Sequence, residues 1–289
     1  FAYLVALARE KHFARAAKAC NVSQPTLSGA IRQLEEELGV PLVERGHRFT
    51  GLTAEGETIL AHAKRILAEV DTMAQSIGDV RQGLKGRLRI GAIPTALPLV
   101  AQITGPFSER FPAVTLAVLS MTSTAIQDAI DNFDIDVGIT YLDNEPVEGL
   151  MQHPLYEEHY SLFVGETSPY TDKESVTWTE AAQEPLCLLT PNMQNRRIID
   201  RAFAVANVHP SPRLETNSIM NLLASVKSMG LSSIMPDYFI HVLGKLEGVR
   251  AIPLTHPKVE HKVGLVGLPR EPLSPLVAGL FAAARRLQA

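Results

Sequence analysis

Sulfur chemistry has little to work with in this chain. Its 289 residues include two cysteines, Cys20 and Cys187, and neither lies in a C-x-x-C pair. That excludes a disulfide framework and favours a reducing compartment. No apolar run approaches the roughly 18 residues of a membrane helix. No basic stretch leads an apolar one into a small-residue cleavage site, so a signal peptide is not expected either. The protein is therefore expected to be cytoplasmic, with no membrane partner. Positive charge is not in excess: the net charge is −4. The whole molecule is thus no basic nucleic-acid binder, and any such role must come from a local patch. The nine histidines form no H-x-x-x-H or H-E-x-x-H pair, and G-x-S-x-G, P-loop and G-x-G-x-x-G motifs are missing. An enzyme, a cofactor and a metal site are not expected.

What is present is ordinary globular material, 46% hydrophobic and 20% charged, enough for packed cores in roughly two domains. Phe1 stands inside a helical pattern and there is no initiator Met, so a few residues are expected to precede it.

Phe1, Leu4, Val5, Leu7 and Ala8 outline a short amphipathic helix, and Phe13, Ala16, Ala17 and Ala19 a second. Cys20-Asn21-Val22 makes a turn. Ser23 is a good N-cap, and Pro25 is tolerated in a first helical turn. The next helix places Leu27, Ile31, Leu34 and Leu38 on one face. Gly39 stops it, with Pro41 beyond. Its other face carries Gln24, Thr26, Ser28, Arg32 and Gln33, mostly uncharged hydrogen-bonding groups. Alanines let two helices cross closely, and such a polar face suits base edges in a major groove. Leu42–Arg45 and Phe49–Leu52 read as a hairpin whose tip carries Arg45, His47 and Arg48, suited to phosphates. The competing reading is a three-helix packing unit with a solvated face.

The stretch "RAAKACNVSQPTLSGAIRQLEEELGVPLVER", followed by "LTAEG", resembles the N-terminal signature of the LysR-type transcriptional regulators from Phe13 to Gly56. That resemblance implies a winged helix-turn-helix over 1–52. Gln24, Pro25, Thr26, Ser28, Arg32 and Gln33 would meet double-stranded promoter DNA, with Arg15, Arg45 and Arg48 on phosphates.

Thr53 reads as the N-cap of a long helix. Ile59, Ala63, Ile66, Val70, Met73 and Ile77 recur at steps of four and three, a stripe that could pack on its own domain but whose length and spacing argue for a coiled-coil seam with a partner helix. About 27 residues make a rod of roughly 40 Å. The resemblance implies that this linker, 53–83, pairs two subunits into a homodimer or homotetramer. RNA polymerase is a further partner it allows.

From Arg87 strands and helices alternate, which argues for parallel sheet covered on both faces. Strands are predicted at Leu88–Gly91, Val114–Leu119, Asp136–Thr140, Leu186–Leu189, Arg213–Glu215 and Leu231–Ile234. Helices are predicted at Ala96–Phe111, Ser123–Phe133, Asn195–Ala206, Ile219–Ser228 and Pro272–Leu287. Tyr160–Val164 and Lys262–Val266 read as crossover strands between two lobes, lobe I over about 87–161 and 267–289 and lobe II over about 162–266. Glu157-Glu158-His159 reads as a solvated surface or strand end. The fold class expected is thus α + α/β: winged helix-turn-helix, linker helix, and a two-lobed α/β effector domain over 87–289. By family resemblance that domain is similar to periplasmic solute-binding proteins.

Ligands in such sheets sit beyond strand ends, near helix N-termini. Thr95, Thr122, Ser123 and Thr140 on one lobe, with Asn192, Met193 and Gln194 on the other, are the effector residues expected. Hydroxyls and free N–H groups at helix starts suit a small organic anion such as a carboxylate. Arg196 and Arg197 either neutralise it or lie on the helix surface. The N-terminal stretch and "IGAIPT" at Ile90–Thr95 resemble the peroxide-sensing branch most. That branch carries a reactive cysteine where Met193 stands here, and a second downstream; no cysteine lies between 188 and 289. An oxidant-responsive regulator therefore remains the alternative, through Met193 or Cys187, although Cys187 in its apolar strand reads as core. A solute-binding protein is the more distant alternative.

Overall fold

A computed structural model of the chain describes residues 1–44, 49–143, 145, 147–244 and 246–286. The chain divides into two units, Phe1–Gln82 and Gly83–Ala289.

In the first unit, α1 (Ala2–Glu10), α2 (Phe13–Ala19) and α3 (Gln24–Leu38) pack around Leu4, Leu7, Ala16, Ala17, Leu27 and Ile31. Each start has a local cause. His12 Nδ1 accepts the Ala14 N–H at 3.2 Å, and Ser23 Oγ accepts that of Thr26 at 3.3 Å, satisfying N–H groups that a first turn leaves free. Gly39 ends α3 at φ 70°, in the left-handed region. Leu34 is only partly buried and Leu38 is 41% exposed. The expected apolar stripe therefore stops short, because the last turn of α3 runs past the core.

Beyond α3, Val43 and Leu52 form an antiparallel bridge at the base of the expected hairpin. Phe49 meets Phe13 edge-on at 6.3 Å. Arg45, His47 and Arg48 lie outside the described residues. Thr53 caps α4 (Ala54–Gln82), accepting from Gly56 N–H at 2.9 Å and donating to the Pro41 carbonyl at 2.7 Å. Gly56 must be glycine, since a Cβ there would collide with the Leu42 carbonyl. The seam expected along α4 splits in two. Ile59 packs on the helix-turn-helix core, and Ala63 is fully buried within the single chain. Ile66, Val70, Met73 and Ile77 are exposed by 45–59%. The first turns of α4 thus serve their own unit, which corrects the expectation for Ile59 and Ala63.

The second unit begins with β1 (Gly86–Ala92), a 3-10 turn at Pro94–Ala96, α5 (Leu97–Arg110), β2 (Val114–Ser120), α6 (Ser123–Asp131) and β3 (Val137–Tyr141). Then come β4 (Met151–Gly165), β5 (Val176–Thr177), α7 (Trp178–Ala181), β6 (Leu186–Leu189), α8 (Gln194–Val205), β7 (Leu214–Thr216) and α9 (Ile219–Met229). β8 (Ser232–Pro236), α10 (Tyr238–Leu243), β9 (Val249–Thr255), β10 (Glu260–Gly267) and α11 (Pro275–Arg286) complete it. Strands run in the order β2-β1-β3-β10-β4-β8-β6-β7. β1, β2 and β3 pair in parallel, as do β6, β7 and β8, so each lobe has a parallel sheet with helices between its strands.

β4 joins the two sheets. Its first half pairs with β10 and its second half with β8 and β9. It starts at Met151, well before the crossover expected at Tyr160, because pairing with β10 extends a polar stretch that alternation alone does not mark as strand. Pro154 is accommodated at a register shift opposite Gly264. β10 pairs with β3 and with the first half of β4. It therefore belongs to the first lobe's sheet rather than to the stretch 162–266 expected for the second. β9 had no counterpart in the expected strands.

Candidate DNA-reading face and effector pocket

On α3, Gln24, Pro25, Thr26, Arg32 and Gln33 are exposed and Ser28 is partly so. Their common placement follows from the burial of Leu27 and Ile31 on the opposite side. Gln33 Nε2 donates to Glu37 at 3.0 Å, and the hydroxyls of Ser23 and Thr26 share a bond at 2.8 Å. Arg15 is exposed and donates to the Glu10 carbonyl at 2.6 Å. The result is a capped helix whose first turns offer amide, hydroxyl and guanidinium groups.

In the second unit the effector residues converge only in part. Thr95, Thr122, Ser123, Met193 and Gln194 line one small cavity, with Ile93, Tyr141, Leu189 and Asn195 among its other walls. Its volume is about 10 Å³, roughly one water-sized sphere. Thr140 is not among the lining residues: it is buried in β3, its Oγ1 without a hydrogen bond. Asn192 does not join them: it is exposed, and its carbonyl accepts from Arg197 at 2.8 Å. Asn195, the second residue of α8, lines the cavity in its place.

The polar atoms divide into used and unused. Thr122 Oγ1 caps α6 through the Ala125 N–H at 3.2 Å, and Ser123 Oγ donates to Glu145 at 3.2 Å. Both side-chain atoms of the Gln194 amide are buried and unpaired, and Thr95 Oγ1, beside the Tyr141 hydroxyl, makes no well-formed bond. Unpaired buried polar atoms cost free energy that a ligand can recover. α8 has no side-chain cap, so its first N–H groups also stay available at the positive end of the helix.

Neither arginine is free. Arg197 clamps Glu145 with bonds of 2.7 and 2.6 Å, which holds that carboxyl below its usual range. Arg196 is buried and binds Glu215 at 2.6 Å, Asp200 at 2.8 Å and the Leu189 carbonyl at 2.7 Å. These are structural ties between α8 and its surroundings.

Beyond Tyr141 lies Glu158, expected at a solvated surface or strand end. Glu158 is fully buried, and Tyr141 and Tyr160 donate to its Oε1 at 2.5 and 2.6 Å, Tyr156 to its Oε2 at 3.1 Å. Burial pushes its carboxyl up to about 7 against the lowering effect of the tyrosines. The only signal in the chain was Tyr at 156 and 160 flanking Glu158 on one strand face. Cys187 is buried in β6, and desolvation raises its thiol to about 11, which leaves almost no thiolate near neutrality. Among the described residues, no group of three His, Cys, Asp or Glu side chains is placed to hold a metal ion. Among the same described residues, no helix is long and apolar enough to cross a membrane.

Two family descriptions match the chain: "Bacterial regulatory helix-turn-helix protein, lysR family" over residues 1–57 and "LysR substrate binding domain" over 81–289. The "DNA-binding transcriptional dual regulator OxyR" of Escherichia coli K12 is 32% identical over 275 residues, spanning 94% of this chain and 89% of that protein. The "Hydrogen peroxide-inducible genes activator" of Haemophilus influenzae is 30% identical over 273 residues, spanning 94% and 90%. Among solved structures, a full-length OxyR variant from Pseudomonas aeruginosa superposes with a TM-score of 0.75 at 25% identity, covering 99% of this chain and 95% of that one. Full-length CbnR in complex with its target DNA gives 0.70 at 21% identity, covering 99% and 97%; that likeness speaks for the fold alone.

Proposed function

This chain belongs to the LysR family of bacterial helix-turn-helix regulators, and we infer from that premise how it reads DNA and senses an effector. It is a DNA-binding transcriptional regulator with an effector-binding domain, not an enzyme. α3 enters the major groove of promoter DNA, with Gln24, Thr26, Ser28, Arg32 and Gln33 toward base edges and Arg15, Arg45 and Arg48 on phosphates. The exposed, mostly uncharged stripe on α3, set opposite Leu27 and Ile31, carries this reading. Ile66, Val70, Met73 and Ile77 pair the linker helices of two subunits, giving a homodimer or a homotetramer built from such pairs. The dimer works in the cytoplasm and addresses RNA polymerase at the promoter.

The effector is a small organic anion held between the lobes by Thr95, Gln194 and Asn195 and by the free N–H groups of α8. The unpaired Gln194 amide and the uncapped start of α8 support that choice. A cavity of about 10 Å³ admits an anion of several atoms only as the lobes part, so the ligand has different affinities for two lobe arrangements. Thermal-shift titration of the full chain with small organic acids tests it. One acid should stabilise the wild type and fail on Thr95→Val, while Thr95→Val binds operator DNA normally. A normal effector response in Thr95→Val would move the site elsewhere.

The peroxide-inducible relatives favour a second reading, an oxidant-responsive regulator. Met193 lines the cavity and offers a thioether there, whereas the Cys187 thiol is buried away from it, its Sγ toward the Leu222 carbonyl. Peroxide-treated protein that gains one oxygen on Met193 and changes its operator affinity would establish this reading over the anion.

A further inference from the structure

Glu158 sits where β4 passes from one lobe to the other. It pairs with His261 of β10 in the first lobe, and Tyr160, next on the same face, pairs with Pro236 of β8 in the second. Its hydrogen-bond donors come from both: Tyr141 from β3, Tyr156 and Tyr160 from the two halves of β4. Among the described residues it makes no ion pair. The other ionisable groups facing it are accounted for. His261 is turned to Asp143 at 3.0 Å and stands edge-on to Tyr141 at 6.1 Å. Asp237, at the start of α10, opposes its ionisation. Tyr238 stacks on Tyr156 at 4.5 Å and donates to Gln102.

Tyr141 connects this acid to the effector cavity, which it lines. With Glu158 ionised, the Tyr141 O–H is committed to Oε1, and the hydroxyl shows the cavity side only lone pairs, one of them taken by Asn195 Nδ2 at 3.3 Å. A carboxylate accepts only; a carboxylic acid also donates. Once Glu158 carries a proton, it can donate to the Tyr141 oxygen, and Tyr141 can turn its own hydrogen toward the cavity beside Thr95. We propose that Glu158 is a positioning residue that decides, through Tyr141, whether the cavity offers an anion a hydrogen-bond donor, so that an anionic effector binds with uptake of one proton from solvent onto Glu158. This rests on the reading of the cavity as the effector site and adds to it a proton that the ligand brings in. Burial holds the carboxyl at about 7, so both states are accessible near neutrality.

The test uses the full-length protein, with acetate and benzoate as probes, by calorimetry in phosphate and Tris between about pH 6 and pH 8.5. Wild type should take up close to one proton on the alkaline side, its affinity falling about tenfold per pH unit there. Glu158→Gln, whose amide donates at every pH, should bind with no pH dependence and no proton uptake; Tyr141→Phe should bind weakly throughout. Wild-type affinity independent of pH, or an unchanged slope in Glu158→Gln, overturns the proposal. Infrared difference spectra without ligand separate the two layers. A buried carboxylic-acid band that titrates near neutrality and vanishes in Glu158→Gln is expected, and its absence overturns the Glu158 assignment alone. If the band is present but neither probe binds at any pH, the anion reading of the cavity falls, and the ligand-linked proton with it.

Discussion

The carboxylate of Glu35, on α3, accepts the backbone N–H groups of Leu42 and Val43 at 2.7 and 3.1 Å. One side chain of α3 thereby sets where the chain enters the bridge between Val43 and Leu52. Glu35→Ala leaves two part-buried donors without that acceptor, and a destabilisation of about 1–3 kcal/mol follows. Thermal unfolding of the full chain measures it, and operator affinity should fall further than the small loss of folded protein explains.

Arg32 projects from the exposed face of α3. Arg32→Ala should weaken binding to the operator by roughly 1–3 kcal/mol if its guanidinium reads a base edge. Fluorescence anisotropy on operator and scrambled duplexes decides between roles: equal losses on both would make Arg32 a phosphate contact instead.

Val70 and Met73 are 48% and 59% exposed on α4, a high value for apolar side chains on adjacent turns. Val70→Asp combined with Met73→Asp should shift the protein to monomers in sedimentation velocity while each chain keeps its circular dichroism. Ala63, fully buried in the single chain, should instead cost stability when enlarged to leucine.

Glu158 links stability to pH. Its carboxyl is raised from 4.5 to about 7 in the fold by burial, so between those values the folded chain binds its proton more tightly than the unfolded chain does. Stability from this group is complete below about pH 4.5, declines as pH rises to about 7, and is level beyond. Glu158→Gln should remove that decline from the melting temperature measured across the window; an unaltered curve would assign it to other groups.

Local chemistry made much of this legible in advance. Ser23, Pro25 and Gly39 mark the bounds of α3 because caps and stops act within one turn, and Leu186–Leu189 reads as a strand because its run is short, apolar and bounded. Asn192 was misplaced for the opposite reason. Loop and first turn both supply polar side chains, and only the tertiary structure decides that Asn195 rather than Asn192 lines the cavity. Leu38 and Ala63 fail similarly, since a periodic stripe shows which face is apolar and not what covers it.

From its sequence alone, then, this protein has its helix-turn-helix, its alternating α/β second unit, and the lack of a thiol where Met193 stands, since periodicity, capping and residue identity are properties of neighbours along the chain. Only the tertiary structure turned Glu157-Glu158-His159 from a solvated strand end into a strand that carries a buried acid under three tyrosines. Burial is a property of the whole fold: the pairing of β4 with β10 and then β8 takes Glu158 out of water, and Tyr141, distant in sequence, gives it a path to the cavity.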